Sequence, residues 1–236
     1  GMARTAAKNP VVGFNVYRNG EKLNTKLVES VNYDDEVPDY GDYTYTVTAV
    51  KKDGTETAQS ASLNVNVPDT RMLPFFDDFD DWTLHEDKWT KTQQDGSTES
   101  KWSIDYYEYG LIDPSATYSW STLQNYDQAL VTRVLHTADR SNTYLRFNLK
   151  LRNSEQTNVD YLSAEVSSDD GKTWKEIETF DNKNGGFEWT TFQYALADNL
   201  SSDLFRVRFR AHGADAKWIN YWYVDDVKIW TPVWTS

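Results

Sequence analysis

Residues 144–151 read "YLRFNLKL" and residues 205–211 read "FRVRFRA", and both stretches alternate apolar with charged or polar side chains. Alternate side chains of a strand point to opposite faces, so each stretch predicts a β-strand with one buried face. "YLSAEVSS", "KEIETF" and "YVDDVKIW" predict further strands, at the spacing of an antiparallel sandwich. There is no long helical stripe and no internal repeat. The pattern predicts an all-β fold.

The composition is that of a folded, acidic chain. Its 236 residues are 39% hydrophobic and 15% aromatic, enough for one large or two ordinary domains. The formal charge of −13 disfavours nucleic acid as a partner. No run of about 18 apolar residues is present, so membrane insertion is not expected. With no Cys and three scattered His, neither a thiolate nor a histidine metal site is expected.

Two domains are expected. All ten Trp lie between Trp82 and Trp234, and a linker containing two prolines reads "VPDTRMLP" at residues 67–74. We therefore place one domain at residues 1–70 and a larger one at residues 71–236.

The first domain carries "GFNVYRNGEKL" at residues 13–23, where Asn19 and Gly20 predict a two-residue hairpin turn. Followed by "YTYTVTAVKKDG", this stretch resembles a fibronectin type III-like module over roughly residues 10–67. The resemblance implies a small β-sandwich spacer. Only residues 3–12 precede the first matched strand, so the sandwich is expected to be incomplete.

The second domain opens with "PFFDDFDDW" (74–82), continues through "DQALVT" (127–132) and closes with "YVDDVKI" (223–229). This order resembles the cleaved-adhesin type of jelly-roll domain, related to MAM-like sandwiches, in secreted and surface proteins of Bacteroidetes. The resemblance implies a larger antiparallel jelly-roll sandwich and a secreted or cell-surface location.

The same resemblance implies a structural calcium ion. In that family the opening acidic strand and the closing Asp-Asp strand meet around the ion. Carried over by position, the ligands are Asp80 and Asp226, with Asp78 and Asp225 as further candidates. Ca²⁺ prefers hard oxygen ligands of this kind. Asp80 stands where the family often has Glu. The alternative is a solvated acidic turn.

Residues 166–174, "VSSDDGKTW", match the Asp-box, a hairpin motif best known from sialidases. In those propellers the motif recurs in each blade away from the catalytic centre, and here it occurs once. We expect a structural hairpin between two strands, with Asp169 and Gly171 shaping its turn and Trp174 anchoring it.

Nothing in the sequence indicates catalysis. No Gly-x-Ser-x-Gly, phosphate-binding loop or His-Glu-x-x-His motif is present, and 37 acidic residues make chance carboxylate pairs unavoidable. The chain is therefore not expected to be an enzyme.

Aromatic residues in loop-like stretches are the candidates for ligand binding, because aromatic faces stack on sugars or anchor protein partners. Most rings of a β-sandwich belong to its core, which is the alternative for each of them. The candidates are Trp102, Tyr107, Tyr109, Tyr118, Trp120, Trp218 and Trp222. The row Arg206, Arg208 and Arg210 could bind anionic glycans, or pair with acids such as Glu165.

These observations predict a monomeric, non-catalytic extracellular module that binds carbohydrate or a host or matrix protein. One alternative is an accessory domain of a secreted protease or glycoside hydrolase whose catalytic part lies elsewhere. The other is a structural spacer.

Overall fold

The computed structural model describes residues 9–105 and 114–232. Its contacts divide the chain into two compact units, Gly1–Thr70 and Arg71–Ser236. Each unit is described by itself.

The first unit is one antiparallel sheet with the strand order β2-β1-β3-β4. Its strands are β1 (Val11–Arg18), β2 (Glu21–Lys22), β3 (Gly41–Lys51) and β4 (Leu63–Val67). Asn19 and Gly20 take φ values of 51° and 83° between β1 and β2, as the Asn-Gly pair predicted.

The expected fibronectin type III-like sandwich is not formed by residues 9–70, which contain no second sheet. Strand alternation places Val16, Val47 and Val65 on one face. Residues 28–37 share with this face an apolar cleft of about 760 Å³. That segment is held by Asp35, which accepts hydrogen bonds from Tyr45 Oη (2.7 Å) and Arg18 Nη1 (2.9 Å). It lacks the two-residue alternation of a strand and lies beside the sheet as a loop.

The second unit is a sandwich of two antiparallel sheets. One sheet has the order β13-β10-β15-β8-β7 with β5 also paired to β15, and the other has the order β12-β11-β14-β9-β6. The strands of the first sheet are β5 (Phe75–Asp77), β7 (Trp102–Asp105), β8 (Ser115–Ser119), β10 (Tyr144–Asn153), β13 (Phe187–Ala195) and β15 (Ile219–Trp230). Those of the second are β6 (Trp89–Gln93), β9 (Gln124–Thr132), β11 (Asp160–Ser167), β12 (Lys175–Asp181) and β14 (Arg206–Asp215). Two 3-10 turns lie at Asp198–Leu200 and Ala216–Trp218. No helix in the described ranges is long and apolar enough to cross a membrane.

The core of this sandwich is built by the alternating strands that the sequence predicted. Leu145, Phe147 and Leu149 of β10 are fully buried, as are Val207 and Phe209 of β14. The rings of Phe147 and Phe209 meet edge to face, with centroids 4.9 Å apart. This contact joins the two sheets and leaves the polar side chains of both strands pointing outward.

The opening and closing strands are neighbours. β5 pairs antiparallel with β15, with Phe75 opposite Ile229 and Asp77 opposite Val227. This adjacency agrees with what the adhesin resemblance implied for the two ends of the domain.

Candidate functional site

A row of arginines lies on the outer side of the five-stranded sheet. In β14 the apolar side chains enter the core, so those of Arg206, Arg208 and Arg210 point outward. We call the surface formed by these three residues the arginine face. The alternation of "FRVRFRA" predicted it, and the structure confirms it.

Each arginine of this face pairs with a carboxylate. The pairs are Arg206 with Asp170, Arg208 with Glu165, and Arg210 with Asp127. Arg210 Nε and Nη2 donate to the two oxygens of Asp127 at 2.7 Å each, which is bidentate geometry. Arg208 and Glu165 are only 8% and 7% exposed. The face is therefore a charge-balanced array, in agreement with the predicted alternative of pairing with acids.

The Asp-box forms the hairpin between β11 and β12, as predicted. Asp169 accepts hydrogen bonds from Thr173 Oγ1 (2.6 Å), from the backbone N–H of Thr173 (2.9 Å) and from Ser167 Oγ (2.7 Å). These bonds, that of the Thr173 hydroxyl first, lower the pKa of Asp169 to about 2. Gly171 takes a φ of 81°, which a side chain would disfavour. The turn is thus held by a short local network.

Trp174 anchors this hairpin to the arginine face. Its Nε1 donates to the carbonyl oxygen of Gly171 at 3.0 Å. The guanidinium carbon of Arg208 lies 4.2 Å from the centroid of the indole, a cation–π contact. The sequence predicted the anchoring role. The structure adds that Trp174 packs on the outside of the sheet, not in the core.

A cleft of about 250 Å³ opens beside Trp174. Thr90 of β6, Val131 of β9 and Arg208 of β14 lie side by side in register across three neighbouring strands. Their side chains line the cleft together with Trp174. The other lining residues are Thr92, Gln94, Asp170, Gly171 and Arg206. The cleft is thus lined by one large ring and by several polar side chains.

The lining combines an aromatic ring with hydrogen-bonding groups. Within the described ranges, the terminal nitrogens of Arg208 have no acceptor, because its only hydrogen bond uses Nε. Thr90 supplies a hydroxyl, and Asp170 supplies carboxylate oxygens. An indole with a few polar groups around it is the usual composition of a small-molecule site.

A serine and a histidine lie together farther along the same sheet. Ser163 Oγ and His212 Nε2 are 2.9 Å apart, and Tyr161 stacks on the imidazole with centroids 5.4 Å apart. Burial, with the charge of Arg210 as the next cause, lowers the pKa of His212. Ser163 is 1% exposed and also bonds Thr179 Oγ1 at 2.6 Å. A hydroxyl so enclosed cannot reach a substrate, so the pair is structural.

The candidate aromatic residues do not form one surface. Trp102, Tyr118 and Trp222 are fully buried, which corrects the expectation that they are available to a ligand. Their strands turn these rings inward, where Trp102 and Tyr118 pack with centroids 5.8 Å apart. Trp120 is 52% exposed, and Trp218 is partly buried with Lys217 Nζ 4.3 Å above its ring. Tyr107 and Tyr109 lie outside the described residues.

The candidate calcium ligands lie near the β5–β15 pair. Asp77 pairs with Val227 across the two strands. Asp78 is the residue after Asp77, and Asp226 is the residue before Val227. Asp226 accepts from Asn148 Nδ2 at 2.6 Å, while Asp225 is buried and Asp80 exposed. Among the residues with described positions, no three Asp, Glu or His side chains are close enough to share a metal ion. A four-carboxylate cluster is therefore not formed there.

Sequence reasoning missed Thr90, Thr92 and Val131 as cleft residues. They belong to β6 and β9, whose places beside β14 are set by pairing between distant segments. A threonine or valine on a strand is not marked by any sequence motif as a ligand-binding residue. No local pattern could therefore have identified these three residues.

The first unit matches the family model described as the rhamnogalacturonan I lyases beta-sheet domain, over residues 4–66. No curated protein matches the chain.

Solved structures resemble about two thirds of this chain at low sequence identity. One is the K3 cleaved adhesin domain of Lys-gingipain from Porphyromonas gingivalis W83, with 17% identity, 66% of this chain and 96% of that chain covered, and a TM-score of 0.49. A xylan-binding module has 12% identity, 69% and 99% coverage, and a TM-score of 0.46. A Caldicellulosiruptor saccharolyticus carbohydrate-binding module, solved with mannohexaose, has 14% identity, 67% and 97% coverage, and a TM-score of 0.44. These likenesses concern the β-sandwich fold alone.

Proposed function

We propose that the second unit is a non-catalytic glycan-binding module whose ligand lies in the cleft beside Trp174. The observation that carries the proposal is the cleft that Trp174 lines together with Thr90, Val131 and Arg208. An aromatic ring can stack on the apolar face of a sugar, while the Thr90 hydroxyl and the Asp170 carboxylate bond its hydroxyls. The enclosed Ser163 supports a binding role over a hydrolytic one.

The ligand class is a neutral polysaccharide. Each arginine of the face already has a carboxylate partner, so the surface offers balanced donors and acceptors and no excess positive charge. The whole chain carries −13, which repels polyanions at low ionic strength. The hydroxyl groups of a neutral polysaccharide suit such a surface better than the carboxylates or sulfates of an anionic one.

The setting of this binding is an extracellular polysaccharide-degrading system, with the chain as an accessory part secreted or displayed at the cell surface. Support comes from the first unit, whose family model is named for lyases that act on a polysaccharide. The accessory-domain alternative is thus the context in which we propose the glycan binding.

Affinity electrophoresis of the full chain through gels that contain galactan, xylan, mannan or cellulose derivatives tests the proposal. We expect retardation by at least one neutral polymer and none by polygalacturonate. Thr90→Phe should abolish the retardation by filling the cleft from an exposed strand position. The matched control is Thr191→Phe, an exposed threonine on β13, which should bind like the wild type.

Two results would reject the proposal. One is the absence of binding to every polysaccharide. The other is a Thr90→Phe variant that binds as tightly as the wild type while Trp120→Ala, on a separate exposed ring, loses binding.

A structural calcium ion at the β5–β15 end, implied by the adhesin resemblance, stays a proposal. Asp78 and Asp226 are its best-placed carboxylates, and backbone carbonyl oxygens would have to complete the ligand set. Asp226→Asn should then reduce the rise in melting temperature that Ca²⁺ causes. If Ca²⁺ raises the melting temperature of the wild type and the variant equally, no calcium ion is bound by Asp226 at this end.

A further inference from the structure

A buried polar cluster lies where the connection from β10 to β11 meets the end of β12. Asn182 follows β12, and Asp160 begins β11, and both are 0% exposed. Neither residue touches the cleft beside Trp174 or the acidic residues of β5 and β15.

Four oxygen atoms of the connection converge on one nitrogen. Asn182 Nδ2 lies 2.8 Å from Thr157 Oγ1, 3.2 Å from the carbonyl oxygen of Glu155, 3.4 Å from Asn153 Oδ1 and 3.5 Å from Asp160 Oδ2. An amide NH₂ group has two hydrogens, so it cannot satisfy four acceptors fully. At the same time Asn182 Oδ1 is buried and has no hydrogen-bond partner in the described parts of the chain.

Turning the amide over does not resolve the conflict. The oxygen of Asn182 would then face the carbonyl of Glu155 and the side-chain oxygens of Asn153 and Asp160, which are all acceptors. The hydroxyl of Thr157 is the one donor among the four, and its hydrogen is already donated to Asp160 Oδ2 at 2.8 Å. One orientation leaves a buried oxygen unpaired, and the other sets acceptors against each other. A cation removes the second of these conflicts, because it attracts every one of the oxygens that the turned-over amide would face.

The carboxylate of Asp160 adds a charge argument. It accepts from Thr157 Oγ1 at 2.8 Å and from the backbone N–H of Asp215 at 3.2 Å. Both of these donors are neutral, and no Lys, Arg or His in the two described ranges forms an ion pair with Asp160. A buried carboxylate without a cationic partner is costly. The cluster therefore lacks one positive charge.

We propose that this cluster is a calcium site. The ligands are the Asp160 carboxylate, the side-chain oxygens of Asn153, Thr157 and Asn182, and the carbonyl oxygen of Glu155. Ca²⁺ takes six to eight hard oxygen ligands in flexible geometry, so water completes this set. Mg²⁺ fits less well, because it demands strict octahedral geometry and gives up its own water reluctantly. The ion ties the β10–β11 connection to the end of β12.

The test uses the full chain after treatment with chelator and dialysis. Calorimetric titration with CaCl₂ should show binding, and Ca²⁺ should raise the melting temperature by several degrees, since it binds the native state. Asp160→Asn should lose the calcium binding of this site and the part of the melting rise that this site causes. In chelator the variant should melt at or above the wild-type temperature, because the isosteric amide removes an uncompensated buried charge.

Two further variants test a single ligand and the location of the ion. Thr157→Val keeps the volume of the side chain and removes one ligand, so calcium affinity should fall on the order of tenfold. Asp226→Asn, at the β5–β15 end, should leave the binding and melting response of the Asp160 site in place.

The proposal is overturned if the wild type shows no calcium binding and no melting shift, in which case a buried water serves the cluster. It is also overturned if Asp160→Asn and Thr157→Val keep the full calcium response, or if Asp226→Asn alone removes it.

Discussion

At the scale of single residues, Trp174 shows how one side chain serves structure and function together. Its indole closes the hairpin through Gly171 and covers the guanidinium of Arg208. The same side chain also lines the cleft of about 250 Å³. The same residue thus holds the hairpin to the sheet and, in the proposed function, offers a face to a sugar ring.

The hairpin should respond to acid through Asp169. The hydrogen bonds from Thr173 and Ser167 lower its folded pKa from the ordinary 3.8 to about 2. A lowered folded pKa gives stability that is fully present above about pH 4 and is lost as the pH falls through about 2. Asp169→Asn should therefore be less stable than the wild type at pH 7, and this difference should shrink towards pH 2.

Urea unfolding at pH 7, 4 and 2.5 measures that difference. Asp87→Asn, an exposed carboxylate outside the hairpin, is the control and should track the wild type at each pH. A stability difference for Asp169→Asn that stays constant down to pH 2.5 would contradict the role assigned to the hydrogen bonds.

At the scale of strands and sheets, the two-residue alternation of apolar and polar side chains determines which face of each strand is buried. In β10 and β14 the apolar positions meet across the sandwich, and the outward positions carry the arginine face and its counterparts. In the first unit the same period produces an apolar face that lies beside a loop instead of a second sheet and stays partly exposed. A regular alternation therefore predicts a buried face but not what buries it.

Phe147 tests the contact between the sheets. Phe147→Ala removes a fully buried ring that packs on Phe209, and it should cost about 3–5 kcal/mol in the free energy of unfolding. Phe76→Ala, on a ring that is 46% exposed, should cost about 1 kcal/mol or less. Chemical denaturation of both variants gives the comparison, and equal losses would show that Phe147 is not central to the core.

At the scale of the whole molecule, the two units differ in how much apolar surface they bury. The first is a single four-stranded sheet, and Leu63 and Val65 on its apolar face stay 63% and 36% exposed. The second has two sheets and a continuous buried cluster that extends from Phe75 to Ile229. The candidate site and the proposed calcium site both belong to the second unit.

A chain that starts at Arg71 should therefore keep a cooperative thermal transition and the glycan binding of the full chain. Calorimetry should show that removal of residues 1–70 leaves the main transition within a few degrees of its original temperature. Failure of the shortened chain to fold would show that the second unit depends on the first.

Local patterns in the sequence determined the β-class, the positions of strands such as β10 and β14, and the turns at Asn19-Gly20 and in the Asp-box. Alternation and turn chemistry act between residues a few positions apart, so they can be read without a partner. Burial of Trp102, Tyr118 and Trp222, the single sheet of the first unit, and the assembly of the cleft were decided by tertiary structure. Each depends on which strands, distant in the sequence, pair with one another. The two-residue alternation within a strand does not show which partner that strand has.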